Sequence, residues 1–426
     1  MALLRFNFGE SQMNEFSWIF IIALLLMTAI EIWLSLRQGD YVNRHRDRVP
    51  DAFKEQISLQ NHHKAADYTI AKGKLGRVES ILSLILLLFW TLGGGLAWLS
   101  GFWQDFQWPV MATGIVFILS FFIISSLLEL PLSWYKTFVL EQGFGFNRTT
   151  PAVFFSDMVK QFVLMLVIGA PLLWVALWLM GSAGDYWWLY LWAAWMGFVL
   201  LMMWAYPAFI APLFNKFTPL EDEKLKSKVE NLLSRCGFQS QGIFVMDGSK
   251  RSGHGNAYFT GIGNNKRIVF FDTLLKSLNE DQIEAVLAHE LGHFRRKHVV
   301  KNMVVMAVMS LFGLALLGWA STQNWFYTGL GVNTETNAMA LVLFMLVIPV
   351  FSFFLHPVMT AMSRKYEYEA DDYAASVSNS QDLIDALVSL YQENASTLTP
   401  DPLVSAIYDS HPPATLRVAH LARKMT

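Results

Sequence analysis

Residues 289–320 read HELGHFRRKHVVKNMVVMAVMSLFGLALLGWA. A compact pattern of ionisable side chains ends there, and an apolar run long enough to cross a bilayer begins. The pattern is His289-Glu290-Leu291-Gly292-His293. Histidines four apart project from one side of a helix, one turn apart. Both imidazoles can then reach one tetrahedral metal ion, and the carboxylate beside them can deprotonate a water held there. The run at 299–320 has about the 20 apolar residues that a span requires.

Upstream, Asn279 and Gln282 have the spacing of a capping box, which starts the helix. Ile283, Val286, Leu287, Leu291 and Phe294 form one apolar stripe. At 100° per residue Glu290 falls inside it, with His289 and His293 at its margin. A carboxylate on a packed face is partly desolvated, which raises its pKa toward a useful general-base value. The competing reading, two surface histidines on a solvated helix, gives no reason for a Glu in the stripe. Arg295-Arg296-Lys297-His298 then suits a helix C-terminus.

The composition extends the membrane signal to the whole chain. It is 54% hydrophobic and 15% aromatic, with a net charge of −2 and a mean hydropathy of +0.35. That is too apolar for an ordinary soluble domain, and no basic surplus points to nucleic acid. With Cys236 alone, neither a disulfide framework nor a thiolate zinc site can form. Seven segments have span length: 15–36, 80–101, 109–131, 161–181, 187–212, 299–320 and 337–361. Pro207, Pro212, Pro349 and Pro357 predict kinks in the fifth and seventh. Every Lys and Arg except Arg5 lies in 37–79, 132–160, 214–301 or 362–426; the connections at 102–108, 182–186 and 321–336 hold none. The positive-inside rule then predicts an outside N-terminus, with the HExxH helix and the C-terminus in the cytosol. Glu31 and Glu129, in or at the end of spans, read as facing protein interior or water.

Outside the spans, 37–79 reads as a polar, partly helical loop and 141–148 as a Gly-rich structural turn. Residues 214–298 read as a small α/β unit: a helix near 220–236, a strand near 242–247, and strands near 256–262 and 266–272 joined by Gly263-Asn264-Asn265, a hairpin signal. The organisation predicted is a five-span membrane region over 1–213, the α/β metalloprotease unit over 214–298, spans six and seven over 299–361, and a helical C-terminal region over 362–426.

A catalytic zinc site needs a third protein ligand. After the last span the chain reads Ser363-Arg364-Lys365-Tyr366-Glu367-Tyr368-Glu369-Ala370-Asp371. Glu367 and Asp371 share a helix face, which permits Glu367 to bind metal while Asp371 orients a ligand imidazole. Glu369 points about 160° away from Glu367, but spacing alone does not separate the two as ligand. His62 and His63 read as solvent-exposed, and His254 lies in a Gly/Ser turn. His411, before Pro412-Pro413, is either a turn histidine or an imidazole held rigidly to stabilise an oxyanion.

Together these residues resemble the type I CAAX prenyl endopeptidases, integral-membrane zinc metalloproteases. The resemblance is carried by Gly145-Phe146-Asn147, the run Phe214 to Leu220, Asp247 to Phe259, Lys266-Arg267-Ile268-Val269, Phe271 to Leu274, the pentad, Arg364 to Asp371 and His411-Pro412-Pro413. It implies seven spans caging a water-filled chamber, one Zn2+ on His289, His293 and Glu367, and Glu290 as catalytic base. It implies Glu367 over Glu369, because Glu367 fills the Arg-x-x-Glu-x-x-Ala-Asp position. It also implies that Asn256-Ala257-Tyr258 is an edge strand onto which a substrate peptide adds, with His411 and Arg417 near the scissile region.

The function predicted is zinc-dependent cleavage of CAAX-type, prenylated or other membrane-associated peptides. Its competitors are a heat-shock-type membrane quality-control protease, which has fewer spans, and a non-enzymatic transporter or scaffold. The partners predicted are a peptide or protein substrate and the lipid bilayer, with no nucleic acid. The short loops and the lack of a retrieval signal in Ala422-Arg423-Lys424-Met425-Thr426 predict a bacterial inner membrane in preference to the endoplasmic reticulum.

Overall fold

The computed structural model describes residues 13–260 and 267–424. Helices α1 (Glu15–Arg44), α2 (Leu59–Trp90) and α3 (Gly95–Gln104) open the chain, followed by α4 (Val110–Glu141), α5 (Pro151–Ser182) and α6 (Gly184–Phe214). In hydrocarbon every backbone N–H and C=O must be paired within its own segment, so these apolar runs fold as helices. All seven expected spans are present, the second in two pieces: α2 and α3 meet at a 48° bend. Gly94, at φ +78°, supplies the left-handed residue that the bend needs. Much of the polar stretch 37–79 extends α1 and α2 beyond span length.

A polar unit follows: β1 (Phe217–Pro219), α7 (Glu223–Arg235), β2 (Ile243–Met246), β3 (Ala257–Thr260), β4 (Arg267–Phe271), α8 (Asp272–Ser277) and α9 (Glu280–Arg295). The chain then returns through α10 (His298–Ala320), α11 (Asn324–Thr328) and α12 (Asn337–Val377), and ends with α13 (Ser380–Glu393), α14 (Pro402–Tyr408) and α15 (Ala414–Ala422). The prolines change the local helix type without ending the helices. A π-turn at Tyr206–Ile210 takes in Pro207, and a 3-10 turn at Phe353–Leu355 lies between Pro349 and Pro357.

The sheet order is β1-β2-β4-β3. β2 and β4 run parallel, and β3 pairs only with β4, antiparallel, with Tyr258 opposite Val269. The antiparallel pairing expected of the hairpin is therefore present, and among the described residues β3 is an edge strand; the turn Gly263-Asn264-Asn265 lies outside them. β1 is too short, and too near Pro219, for the sequence to reveal it.

One core holds the polar part together. Leu225, Val229 and Leu232 of α7, Ile268 and Phe270 of β4, and Ile283, Leu287 and Leu291 of α9 pack with Phe53 and Ile57 from the first connection and with Leu383, Leu387 and Leu421 from the C-terminal region. Each such side chain contributes roughly 1.5–3 kcal/mol when buried, so residues 214–298 draw stability from both flanking segments. The spans bury a second core around Phe20, Trp90, Phe117, Ile118 and Tyr327, while Ile22, Val110, Val167 and Phe312 stay exposed on their outer faces.

Polar ties orient the parts. Asn14 Nδ2 donates to the Trp325 carbonyl at 2.8 Å, joining the N-terminal end of α1 to the connection after α10. At the other end of α1, Arg37 Nε donates to Asp401 Oδ1 at 2.9 Å. The guanidinium of Arg251 grips Asp157 of α5 through Nε (2.8 Å) and Nη2 (3.0 Å), and Asn215 through Nη1 (2.8 Å). Breaking a part-buried bidentate pair leaves a carboxylate without its cation. Arg251→Ala is expected to cost about 2–3 kcal/mol, read as a lower thermal midpoint in detergent and faster proteolysis at residues 248–256.

Cavities lie among the spans. One, of about 930 Å³, is apolar and lies among α4, α5, α6, α10 and α12. Another, of about 770 Å³, has the ionisable residues Glu31, Arg77, Glu79, His356 and Tyr408 in its wall beside Met27, Phe353 and Val404. It shares Gln38, Thr69 and Tyr408 with a third, of about 370 Å³, that reaches His411.

Candidate metal centre

Helix α9 starts as its sequence requires. Asn279 Oδ1 accepts from Gln282 N at 2.9 Å, and Gln282 Oε1 accepts from Asn279 N at 3.0 Å. The helix ends at Lys297, a left-handed residue (φ 57°, ψ 34°) that turns the chain into α10.

The buried face of α9 differs from the predicted stripe. Ala285, Ala288, His289 and Gly292 are buried with Ile283, Leu287 and Leu291, whereas Val286, Glu290 and Phe294 are half-buried. The cause is α12, which packs so closely that a Cβ on Gly292 would lie 2.8 Å from Ala370 Cα and 2.9 Å from its carbonyl oxygen. His289, not Glu290, is therefore the deeper residue. Gly292→Ala must push the two helices apart, and overpacking of this kind costs about 1–3 kcal/mol. It is expected to lower both the thermal midpoint and the metal content, since each helix carries donor atoms.

Four of those atoms, from three residues, converge. His289 Nε2 and His293 Nε2 are 3.2 Å apart, His289 Nε2 is 3.4 Å from Glu367 Oε2, and His293 Nε2 is 3.3 Å from Glu367 Oε1. A small divalent ion held tetrahedrally at about 2 Å sets its donors roughly 3.3 Å apart. The donor set fits such an ion in a second way. Glu367 is 5% exposed, and its Oε2 is buried without a hydrogen-bond partner, the Arg417 guanidinium coming no nearer than 3.6 Å; a divalent ion would give that acceptor the close partner it lacks.

Behind the donors, Asp371 is fully buried and places Oδ1 2.8 Å from His289 Nδ1. Burial and the Arg417 charge push the His289 pKa down, but hydrogen bonding to Asp371 and the Glu367 carboxylate outweighs them and lifts it to about 9. A metal at this corner therefore competes with a proton.

Arg417, expected near a scissile bond, is 6% exposed. Its Nε donates to Asp371 Oδ2 at 2.8 Å, its Nη2 donates to Oδ1, and its Nη1 lies 3.6 Å from Glu367 Oε2. It is a buried clamp because α15 packs on α12 and α13.

His411 is mostly exposed and lies 3.4 Å from Glu367 Oε1. Arg364 anchors the segment before it by donating to the Asp409 carbonyl at 2.8 Å. Among the described residues no hydrogen bond or ion pair engages the Glu290 carboxylate. Asn256 is exposed, and Ala257 and Tyr258 are half-buried. The Phe259 ring meets Phe294 edge-on at 5.2 Å, which sets β3 beside α9.

Other histidines lie elsewhere. His254 stacks on Phe146 and faces Asn394 Oδ1 at 3.0 Å. His62, expected in solvent, is 1% exposed with Nε2 3.1 Å from the His45 carbonyl, because α2 extends into the polar region and packs there. His63 stays partly exposed beside Asp47.

Comparison with known proteins completes the assignment. Residues 38–216 match a family described as the CAAX prenyl protease N-terminal region with five membrane helices, and residues 219–425 match peptidase family M48. The chain belongs to peptidase family M48. Relatives span its length. CAAX prenyl protease 1 of Saccharomyces cerevisiae is 36% identical, with 92% of each chain covered. The Homo sapiens homolog is 30% identical, with 95% of each covered. The crystal structure of S. mikatae Ste24p superposes with a TM-score of 0.89 at 32% identity, covering 96% of this chain and 99% of that one. This M48 chain is a membrane-embedded metalloendopeptidase, and membership sets aside the transporter reading. One expectation is overturned: relatives from Saccharomyces cerevisiae, Arabidopsis thaliana and Homo sapiens remove the preference for a bacterial inner membrane. It rested on short loops and on a missing retrieval signal at Ala422–Thr426; loop length follows from how spans are joined, and neither feature identifies the host.

Proposed function

We propose that this M48 protease is a zinc endopeptidase acting on CAAX-type C-terminal peptides that carry a prenyl group, with His289, His293 and Glu367 as zinc ligands and Glu290 as general base. The observation that carries it is the convergence of His289 Nε2, His293 Nε2 and the Glu367 carboxylate, with each imidazole nitrogen 3.3–3.4 Å from one of its oxygens and Oε2 lacking a hydrogen-bond partner. The names of the relatives support the substrate class.

The chemistry a bound zinc ion supplies is Lewis acidity, which draws the pKa of a water toward about 7 and polarises a carbonyl. Glu290 takes the proton of the attacking water on a carboxylate oxygen and passes it to the leaving amine. His411, on the open side of the donors, gives a hydrogen bond to the developing oxyanion. An extended substrate adds along the edge strand that begins at Asn256-Ala257-Tyr258, displacing the Asn256 side chain from the Ala257 N–H, and Asp371 holds the His289 tautomer. Residues 1–213 and 299–361 form the membrane cage; 214–298 and 362–426 supply the site.

The test is cleavage of a prenylated CAAX peptide and of its unprenylated counterpart by the purified chain, with and without 1,10-phenanthroline. One zinc per chain and loss of cleavage on chelation are expected, with the prenylated peptide cut faster. Cleavage that survives chelation would overturn the reading.

A further inference from the structure

The two histidines of the pentad are supported differently. His289 Nδ1 meets the Asp371 carboxylate directly, whereas His293 Nδ1 lies 3.0 Å from another imidazole, His298 Nδ1. His298 Nε2 in turn lies 3.0 Å from Glu369 Oε2. We propose that Glu369 and His298 are positioning residues, a two-step relay that fixes the tautomer and ring orientation of His293. This rests on the metal-centre reading above.

The proton count gives the relay one direction. A carboxylate only accepts, so His298 Nε2 carries the hydrogen that faces Glu369. The other nitrogen of a neutral ring is then a lone pair, and His298 Nδ1 can only accept. Its contact therefore requires His293 Nδ1 to be the donor. That leaves His293 Nε2 as a lone pair, aimed at the corner where it sits 3.3 Å from Glu367 Oε1. A carboxylate two rings away thus imposes on His293 the tautomer that Asp371 imposes directly on His289.

The packing holds the relay in place. His298 is 2% exposed, and its ring stacks on Tyr366 at 4.2 Å and 12°. Lys301 Nζ lies 4.9 Å over the same tyrosine ring and 3.5 Å from Glu369 Oε2. The backbone creates the contact. In an unbroken helix, residues 293 and 298 would point about 140° apart; the left-handed Lys297 brings His298 back onto His293. Helix α12 serves both ends of the arrangement. Glu367 faces α9, and Glu369, about 160° around, faces the start of α10.

The experiment is zinc titration of the metal-stripped full-length chain in detergent against a chelator. It is paired with the visible spectrum of the Co2+-loaded form and the thermal midpoints of the loaded and stripped forms. His298→Phe keeps a flat ring on Tyr366 and removes both nitrogens. It is expected to weaken zinc binding about 10–100-fold, shift the Co2+ bands and lower the loaded midpoint more than the stripped one. Glu369→Ala is expected to lose about tenfold. His298→Asn, whose side-chain oxygen can accept near the position of Nδ1, recovers most of the affinity. Parental zinc affinity in both His298→Phe and Glu369→Ala overturns the relay. Should His298→Phe fail to fold, Glu369→Ala decides, because that carboxylate is partly exposed. A parent that binds no zinc, or His289→Ala that keeps it, overturns the metal-centre reading and the relay with it. Zinc held by the parent, lost in His289→Ala and kept in the relay variants overturns the relay alone.

Discussion

Glu290→Gln is expected to slow peptide cleavage by about 10²–10⁴-fold, the usual contribution of a positioned general base, while leaving metal content and fold intact. The amide has the size of the carboxylate but cannot take a proton from water. The site predicts a clean result because Glu290 is half-buried and among the described residues no hydrogen bond or ion pair holds its carboxylate. Removing its charge therefore strands no partner. The neighbouring donors depend on other groups, His289 on Asp371 and His293 on His298. Single-turnover cleavage measured beside zinc content separates the two effects. A variant that cuts at the parental rate would take Glu290 out of the reaction.

His289→Ala is expected to lower metal affinity by about 10²–10³-fold, a quarter or so of the roughly 10–16 kcal/mol that four ligands give a zinc site. Cleavage should disappear with the metal. The fold should persist, because Asp371 keeps its bidentate partner Arg417 once the imidazole is gone, so no buried charge is left alone. Glu367→Ala is a harsher change: it removes two oxygens from the donor set and one carboxylate that Arg417 faces. Elemental analysis of the purified variants is the measurement, and stoichiometric zinc in His289→Ala would remove that residue from the ligand set.

Much of this centre was legible before any coordinates, because it is encoded locally. The capping box, the one-turn spacing of His289 and His293, and the shared face of Glu367 and Asp371 follow from 3.6 residues per turn. The seven spans follow from apolar length. What escaped depends on contacts between distant segments. Spacing could not choose between Glu367 and Glu369, since each faces a different neighbour of α12. The depth of His289 relative to Glu290 was missed because the stripe was drawn from α9 alone, while Gly292 lets Ala370 approach from another helix. His298 looked like a cation at a helix end, because nothing in its neighbours announces that Lys297 takes a positive φ. Arg417 looked available to substrate, and its burial depends on where α15 docks.

Helix α12 continues from Asn337 to Val377 through the 3-10 turn at Phe353–Leu355, so an intramembrane rod and a donor-bearing rod are one object. At 1.5 Å per residue it is about 60 Å long, and Glu367 sits about 45 Å from its start. The hydrocarbon of a bilayer is only about 30 Å thick. The rod acts as a ruler: if its first residues lie at one hydrocarbon boundary, the cutting position stands some 15 Å past the other, at headgroup height. A chain end tethered by a lipid tail is delivered to that height by its own anchor, whereas a freely diffusing peptide has to find it.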